Sequence, residues 1–537
     1  MIKQYLGILF FLVCPFLATV QLNAQDPSYF GGEAAKKLDW TLFYLNSHYV
    51  DSTDAERLTE LAIIRMLQEL DPFSKYQSKK QLDEQRKRDE GFKNDGIGIK
   101  YYYVNDTATV TYIDETGPGV AAGLLKGDKI LAVNNKNAIA TNFKLLENAL
   151  IADKGTTFDL KIRRKNGTPF NLSITSISLF AASVDAAYKI DGDIGYIRLN
   201  RFTLKTVGEV TKALKELKTQ GVTNLIIDLR DNLGGTVVGA TNLVDEFLSA
   251  GRLIMASEGK GMPREEVMST ANGLFEKGKV AILTNSGTAS ASEIFTGAMQ
   301  EWDRALVLGD ITYGKGLIQQ SYLLGDSSAV RLTIGRYFTP TGRMLQRPFK
   351  FDTTKDWIYQ NIANALYKDD FTNGLNPPAE NKMTTKYGRT IVKGKGSVMP
   401  DIYLTKKAVV QPQLNQLNQL GIIYKFVVYH ADVYRPYYLF NYKSGNEFRY
   451  STVDDHGIQQ NFLAFLAANV EDKALVNSVI IGGVSPHVMT QIKAWLAPQI
   501  WEIGAYFSVL NEKDDLVNRA IESFKDGTFE KVGIRDY

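Results

Sequence analysis

Cysteine is almost missing from this chain: 537 residues contain one, Cys14. It lies inside an apolar run from Tyr5 to Ala18 that follows Lys3 and gives way to polar Gln21 and Asn23 before Ala24, the pattern of a secretory leader. A lipid anchor on Cys14 is disfavoured, because Val13 precedes it where a small residue is expected. With the leader removed the protein has no thiol. That excludes a disulfide framework, a cysteine nucleophile and thiolate metal sites. The leader run falls short of the roughly 20 residues a membrane span needs, so no span is expected after cleavage.

Charge of one sign is also scarce. Lysine and arginine number 62 against 59 aspartate and glutamate, a net charge of +3, and no run of like charge could track a phosphate backbone. Nucleic acid is therefore not an expected partner. Histidine is rarer still: His48, His430, His456 and His487 are the only four. None has neighbours at ligand spacing, and none falls between Val184 and Pro348, where the candidate chemistry lies.

Hydrophobic residues at 44% and charged residues at 23% describe an ordinary globular protein. Its length suits three or four folded units. From Glu33 to about Glu90, Leu38, Leu42, Leu45, Leu58, Leu61 and Ile64 recur at helical spacing, interrupted by the turn Asp71-Pro72-Phe73-Ser74. From Gly91 to about Leu179 short β-branched and aromatic runs alternate with glycine turns, which predicts a compact β-rich module. From Val184 to about Pro348 apolar strands alternate with helical stretches, including Ile194–Ile197, Thr206–Lys218, Leu225–Leu229, Val280–Leu283 and Ala305–Leu308. That alternation predicts an α/β layer, whose ligands sit beyond the carboxyl ends of the strands. Gly388–Val392 and Pro400–Leu404 read as late strands returning to this layer. From Gln411 onward the pattern is helical, with Leu463, Leu466, Ile492 and Leu496 as packing positions rather than a cofactor box.

Three segments follow apolar strands. In the first, Asn285-Ser286-Gly287-Thr288-Ala289-Ser290-Ala291-Ser292-Glu293, small residues lead into a helix, so a serine stands at a helix N-terminus where unpaired amides could steady an oxyanion. An ordinary serine N-cap would look the same. The second, Gly309-Asp310-Ile311-Thr312-Tyr313-Gly314-Lys315-Gly316, nearly spells a phosphate-binding loop. Gly316 stands where such a loop needs Ser or Thr for magnesium, and strands follow rather than a helix, so the nucleotide reading fails. What remains is a lysine between glycines, which becomes a base if burial lowers its pKa from about 10.4 towards 7. The third, Asp228-Leu229-Arg230-Asp231-Asn232-Leu233-Gly234-Gly235, ends in a glycine pair that suits either a tight turn or a second oxyanion donor.

Together with Leu70-Asp71-Pro72-Phe73-Ser74, these segments resemble, in order, the C-terminal processing peptidases, or tail-specific proteases, from about Tyr49 to Leu404. The resemblance implies a serine endopeptidase with a Ser-Lys dyad, Ser290 as nucleophile, Lys315 as its base and Gln319 orienting the lysine. It implies an oxyanion hole of Ala291 with Gly234 or Gly235, Gly234 being preferred. The β-rich module resembles that family's PDZ domain, with Gly96-Ile97-Gly98-Ile99 holding a terminal carboxylate and Gly127–Asn134 as its second marker. No metal or other cofactor is implied. Leu233 replaces the family's usual proline, and Phe73 stands where histidine is common.

The expected fold class is multidomain α/β (α+β). Its expected parts are a leader (1–24), an N-terminal helical region (25–90), a PDZ-like domain (91–179), an α/β peptidase core (180–350), a loop with returning strands (351–410) and a helical C-terminal domain (411–537). Expected partners are polypeptides bound by their C-termini, in the bacterial periplasm; a homo-oligomer is left open. An inactive PDZ scaffold is the competing reading, opposed by intact Ser290, Lys315 and Gln319. A penicillin-recognising hydrolase needs Ser-x-x-Lys, whereas Ser290 is followed by Ala291, Ser292 and Glu293.

Overall fold

The computed structural model describes residues 32–534 apart from 105, 140–145, 148–150, 166, 271–272, 349–380, 395, 405–410 and 452–454. The leader reading lies outside the described residues.

Residues up to Leu70 form one compact unit and the rest of the chain another. In the first, α1 (Gly32–His48) and α2 (Ala55–Gln68) are joined by a short turn, and Asp54 caps α2 by accepting from Arg57 N. Helix α1 buries none of its residues within this unit; Leu38, Trp40, Phe43 and Tyr44 are exposed.

The second unit is organised around a six-stranded sheet of β10 (Val184–Asp191), β11 (Ile194–Leu199), β12 (Asn224–Asp228), β15 (Val280–Thr284), β16 (Leu306–Gly309) and β21 (Ile402–Tyr403), in that order; Gly388–Val392, expected to return to this layer as well, instead forms β20 (Thr390–Val392), which pairs with β19 (Lys382–Thr384) in a ribbon of its own. Within the central sheet β10 is antiparallel to β11 and the remaining pairs are parallel. Parallel strands need cover on both faces and so read as unbroken apolar runs; every residue of β15 is buried. Leu225, Ile227, Val280 and Ile282 point to the face covered by α4 (Thr206–Thr219), α5 (Val237–Asp245) and α6 (Ala291–Glu301). Their neighbours Ile226, Ala281 and Leu283 point the other way, as strand alternation requires.

The C-terminal region, read from sequence as one helical domain, contributes to two different cores. Helices α7 (Pro412–Gln419), α8 (Ile422–Asn441), α9 (Asp455–Asn469), α10 (Lys473–Gly482) and α11 (Pro486–Ile500) enclose their own core around Phe426, Phe462, Val479 and Ile492. Beyond them, Leu516, Val517 and Ala520 of α12 (Asp515–Ser523) and Phe529 of α13 (Thr528–Val532) pack under the central sheet, against Ile226, Ala281 and Leu308. The end of the chain thus supplies the second cover of the α/β layer.

A second sheet joins β1 (Lys75–Gln77), β18 (Ala329–Phe338), β13 (Leu253–Gly259) and β14 (Met262–Met268), with β17 (Leu317–Leu323) also on β18. The β-rich module is a five-strand path of β3 (Ile99–Val104), β4 (Thr107–Ile113), β5 (Lys129–Val133), β7 (Thr157–Arg163) and β8 (Phe170–Thr175), with β6 (Lys136–Asn137) on β5. A ribbon of β2 (Phe92–Gly96) and β9 (Ile177–Phe180) joins its entry to its exit. Helix α3 (Lys79–Asp89), which leads into this ribbon, carries a reciprocal cap between Ser78 and Gln81. The module's outer flank meets the helical domain: Lys129 pairs with Asp432 at 2.7 Å, Lys126 donates to the carbonyls of Pro498 (2.7 Å) and Trp501, and the Tyr102 and Tyr424 rings meet edge to face.

Candidate active site

Strand β15 ends at Thr284, and the chain turns through Ser286 and Gly287 to Ser290, which starts α6. Ser290 has φ +57° and ψ −116°, a left-handed backbone that a residue with a Cβ adopts only under strain, about 1–3 kcal/mol. A strained serine on a strand-to-helix turn is the geometry that presents a nucleophile at the edge of an α/β sheet, and Ser290 is half-buried rather than enclosed. The Gly234 loop packs against it. A Cβ at Gly234 would stand 2.6 Å from the Ala289 carbonyl oxygen and 2.9 Å from Ala291 N, so only glycine fits there.

Glu293, fully buried on the first turn of α6, holds the site together. Its Oε2 accepts from Ser290 N and from Lys315 N, both at 2.8 Å. Its Oε1 accepts from Thr312 Oγ1 at 2.5 Å and Gly314 N at 2.7 Å. Two such bonds to one oxygen place the Ser290 and Lys315 backbone nitrogens at most twice 2.8 Å apart. A further bond, Tyr313 N to the Thr288 carbonyl at 2.9 Å, runs between the same loops. Burial pushes the Glu293 carboxyl up to about 7, against the pull of these donors.

Lys315 lies in the loop from β16 to β17, and burial is the main reason its amine falls from an ordinary 10.5 to about 8. The positive charges of Arg331 and Lys75 push it further the same way, while Asp71 and Glu293 oppose them. Lys75 and Arg331 face each other directly across the β1–β18 pair, a like-charge placement that costs sheet stability. The amine nitrogen stands 4.8 Å from the centre of the Phe73 ring. Phe73 is positioned from both sides: its N donates to Asp71 Oδ1 at 2.7 Å, and its carbonyl accepts from Gln319 Nε2 at 2.7 Å. Among the described residues no hydrogen bond joins Ser290 Oγ, Lys315 Nζ and Gln319 to one another.

The third segment is fixed to the first. Ala289 N and Ser292 Oγ both donate to the Asn232 carbonyl at 3.0 Å, and Asn285 exchanges bonds with Asp231. Asn232 Oδ1 accepts from Gly234 N at 2.9 Å. Ala291 N and Gly235 N make no hydrogen bond among the described residues. At the root of this segment burial would raise the Asp228 carboxyl, but the guanidinium groups of Arg230 and Arg198 and the Tyr196 hydroxyl hold it at about 2.

In the β module Gly96, Ile97, Gly98 and Ile99 are buried at the turn into β3, with Gly98 at φ +74° and its carbonyl accepting from Asp114 N at 2.7 Å. Strand β3 pairs with β4 alone among the described residues. Sequence reading put Glu293 only inside a motif, although an acid three residues into a helix is a recognisable capping signal. Nothing local marks Lys75 and Arg331 as neighbours of Lys315, or the central sheet as the partner of helices α12 and α13.

A strained serine on a strand-to-helix turn, tied to the loop of a buried, easily neutralised lysine, defines an α/β protein with a candidate serine–lysine site. A family model described as Peptidase family S41 matches residues 193–354, and one described as PDZ domain matches residues 96–175. The chain belongs to the S41 family. A carboxy-terminal-processing protease of Bartonella bacilliformis is 32% identical over 311 residues, 56% of this chain and 70% of that one. A probable CtpA-like serine protease of Staphylococcus epidermidis is 31% identical over 316 residues, 58% of this chain, which spans 63% of that relative's length. The solved photosystem II D1 C-terminal processing protease is 24% identical, covering 70% of this chain and 87% of its own, at a TM-score of 0.37. No helix among the described residues is long and apolar enough to cross a membrane.

Proposed function

We propose that the protein is a serine endopeptidase that cleaves polypeptides whose C-termini are held by the PDZ module. The observation that carries this reading is the single Glu293 oxygen shared by the Ser290 and Lys315 amides, which locks a strained nucleophile beside a lysine of lowered basicity. Neutral Lys315 takes the Ser290 hydroxyl proton as Oγ bonds to the scissile carbonyl carbon. The resulting oxyanion is met by Ala291 N and by the glycine pair; Gly235 N is the open donor there, and Gly234 N joins once it leaves Asn232. The ammonium returns its proton to the leaving amine, and the C–N bond breaks to give an acyl-enzyme. Water, deprotonated by the same lysine, then cleaves the ester. For the first step the amine leaves the face of Phe73 and turns to the serine; Gln319, bonded to the Phe73 carbonyl, positions the lysine through that ring.

The substrate's terminal carboxylate is taken by Gly96–Ile99 while its backbone adds to the β3 edge. The sequence pattern of residues 1–24 supports export, with the periplasm as the working compartment. The test is labelling by a serine-reactive phosphonate with mass spectrometry. Adduct on Ser290 that falls sharply in Lys315→Ala, with matching loss of cleavage of an unfolded substrate ending in an apolar residue, supports the proposal. Equal turnover by Ser290→Ala refutes it.

A further inference from the structure

The helical domain and the β module enclose a groove of about 690 Å³ that the proposed chemistry does not use. One wall is the end of β3 and the following turn, Tyr103, Val104 and Asp106; the other is formed by Tyr429 and Val433 of α8 with Phe465 of α9. Consecutive strand residues point to opposite faces, so a groove lined by both Tyr103 and Val104 runs past the strand end instead of lying on one face of the sheet. Its far wall is open: Tyr429 is 40% and Val433 51% exposed.

We infer that this groove is an extended subsite for the upstream part of the same bound polypeptide, with the helical domain supplying its apolar wall. The inference rests on the PDZ reading above. With a terminal carboxylate at Gly96–Ile99, an added strand must run antiparallel to β3, its upstream residues moving from Ile99 towards Val104. The strand has six residues. A peptide paired along its whole length therefore leaves it about five to seven residues before its own C-terminus, about 17–24 Å from the carboxylate at about 3.4 Å per residue. It emerges where the groove begins. An aromatic or large aliphatic side chain at that place in the substrate meets Tyr429, Val433 and Phe465, and Lys425 and Asp106, which also line the groove, offer polar contacts to the passing backbone. The Lys129–Asp432 pair and the Lys126 bonds hold the two walls in register.

The experiment uses full-length Ser290→Ala protein, which retains bound peptide, and fluorescence anisotropy with three peptides sharing one apolar, free C-terminus. One has five residues; one has ten, with phenylalanine six before the end; the third replaces that phenylalanine with serine. The expected result is about tenfold tighter binding of the phenylalanine decapeptide than of the pentapeptide, as one well-packed aromatic contact allows. The serine decapeptide loses that gain. Tyr429→Ser with Val433→Ser, at exposed positions, abolishes the gain and leaves pentapeptide binding unchanged, which also shows that the variant is folded. Equal binding of all three peptides overturns the inference, as does a variant that weakens pentapeptide and decapeptide alike. Amidating the C-terminus separates the two readings. If amidation weakens the pentapeptide but length has no effect, the groove proposal alone fails. If amidation changes nothing, the PDZ reading fails and the groove proposal with it.

Discussion

Neutralising Arg331 should slow the enzyme by moving a proton rather than by removing a contact. In the proposed mechanism Lys315 works as a base only while neutral, and burial lowers its amine from 10.5 to about 8. At pH 7 about one lysine in ten is then neutral, against about one in three thousand at the ordinary value, roughly 300-fold in active base. Burial is the largest cause, so Arg331→Gln should move the amine only part of the way back. A rise of about half to one and a half units would cut kcat/KM at pH 7 about three- to thirtyfold. The loss should disappear as the pH is raised, because the proton leaves either way. The assay is kcat/KM against pH from 6 to 10.5 on a quenched-fluorescence peptide. The ascending limb should have a midpoint of about 8 in the wild type and a higher one in Arg331→Gln, with Arg331→Lys restoring the wild-type profile. Lys75→Gln should shift it the same way by less, since Lys75 is exposed and Arg331 is the larger of the two causes. A uniform drop at every pH, with an unmoved midpoint, would show that the arginine acts by contact and refute the electrostatic argument.

Three other outcomes follow from the same geometry. Lys315→Met should inactivate the enzyme yet stabilise it: the amine's value is lower folded than unfolded, so its stability contribution is present above about 10.5 and lost as pH falls through about 8. At neutral pH the gain should approach about 3 kcal/mol in denaturant unfolding, and a destabilised variant would contradict the burial argument. Glu293→Gln turns an amide nitrogen towards donors that a carboxylate accepted; kcat should fall about 100-fold and stability by about 3 kcal/mol, whereas wild-type kcat would sink the staple role. Lys129→Glu should loosen the β module from the helical domain by about 1 kcal/mol, seen as faster hydrogen exchange in β5, and adding Asp432→Lys should restore it; no recovery in the double variant would count against that pair.

The strands of the central sheet were legible because each is a local apolar run: Leu225–Asp228 and Val280–Leu283 announce themselves. The places of Ser290 and Lys315 just beyond β15 and β16 were legible too, because each segment closes such a run with small residues and glycine. What local pattern cannot convey is register between distant segments. Lys75 and Arg331 look like unrelated surface cations until β1 and β18 are paired, and only then do they bear on Lys315. The tail was read as a separate helical body for the same reason. Leu516, Val517 and Phe529 have ordinary helical spacing, and nothing in it says that their partner is a sheet made much earlier in the chain. Gly234, favoured on sequence as an oxyanion donor, has its amide turned to Asn232 Oδ1, a bond between near neighbours that spacing alone does not reveal.

The order in which the ribosome delivers these pieces now matters. Ser290 emerges long before α12 and α13, yet Ile226, Ala281 and Leu308 keep an open oily underside until those two helices arrive. A nascent chain, or one cut short by a premature stop, therefore carries Ser290 on an unfinished scaffold. Closure of the layer beneath Ser290 thus depends on a stretch made more than 200 residues later, which ties completion of the site's scaffold to synthesis of α12 and α13.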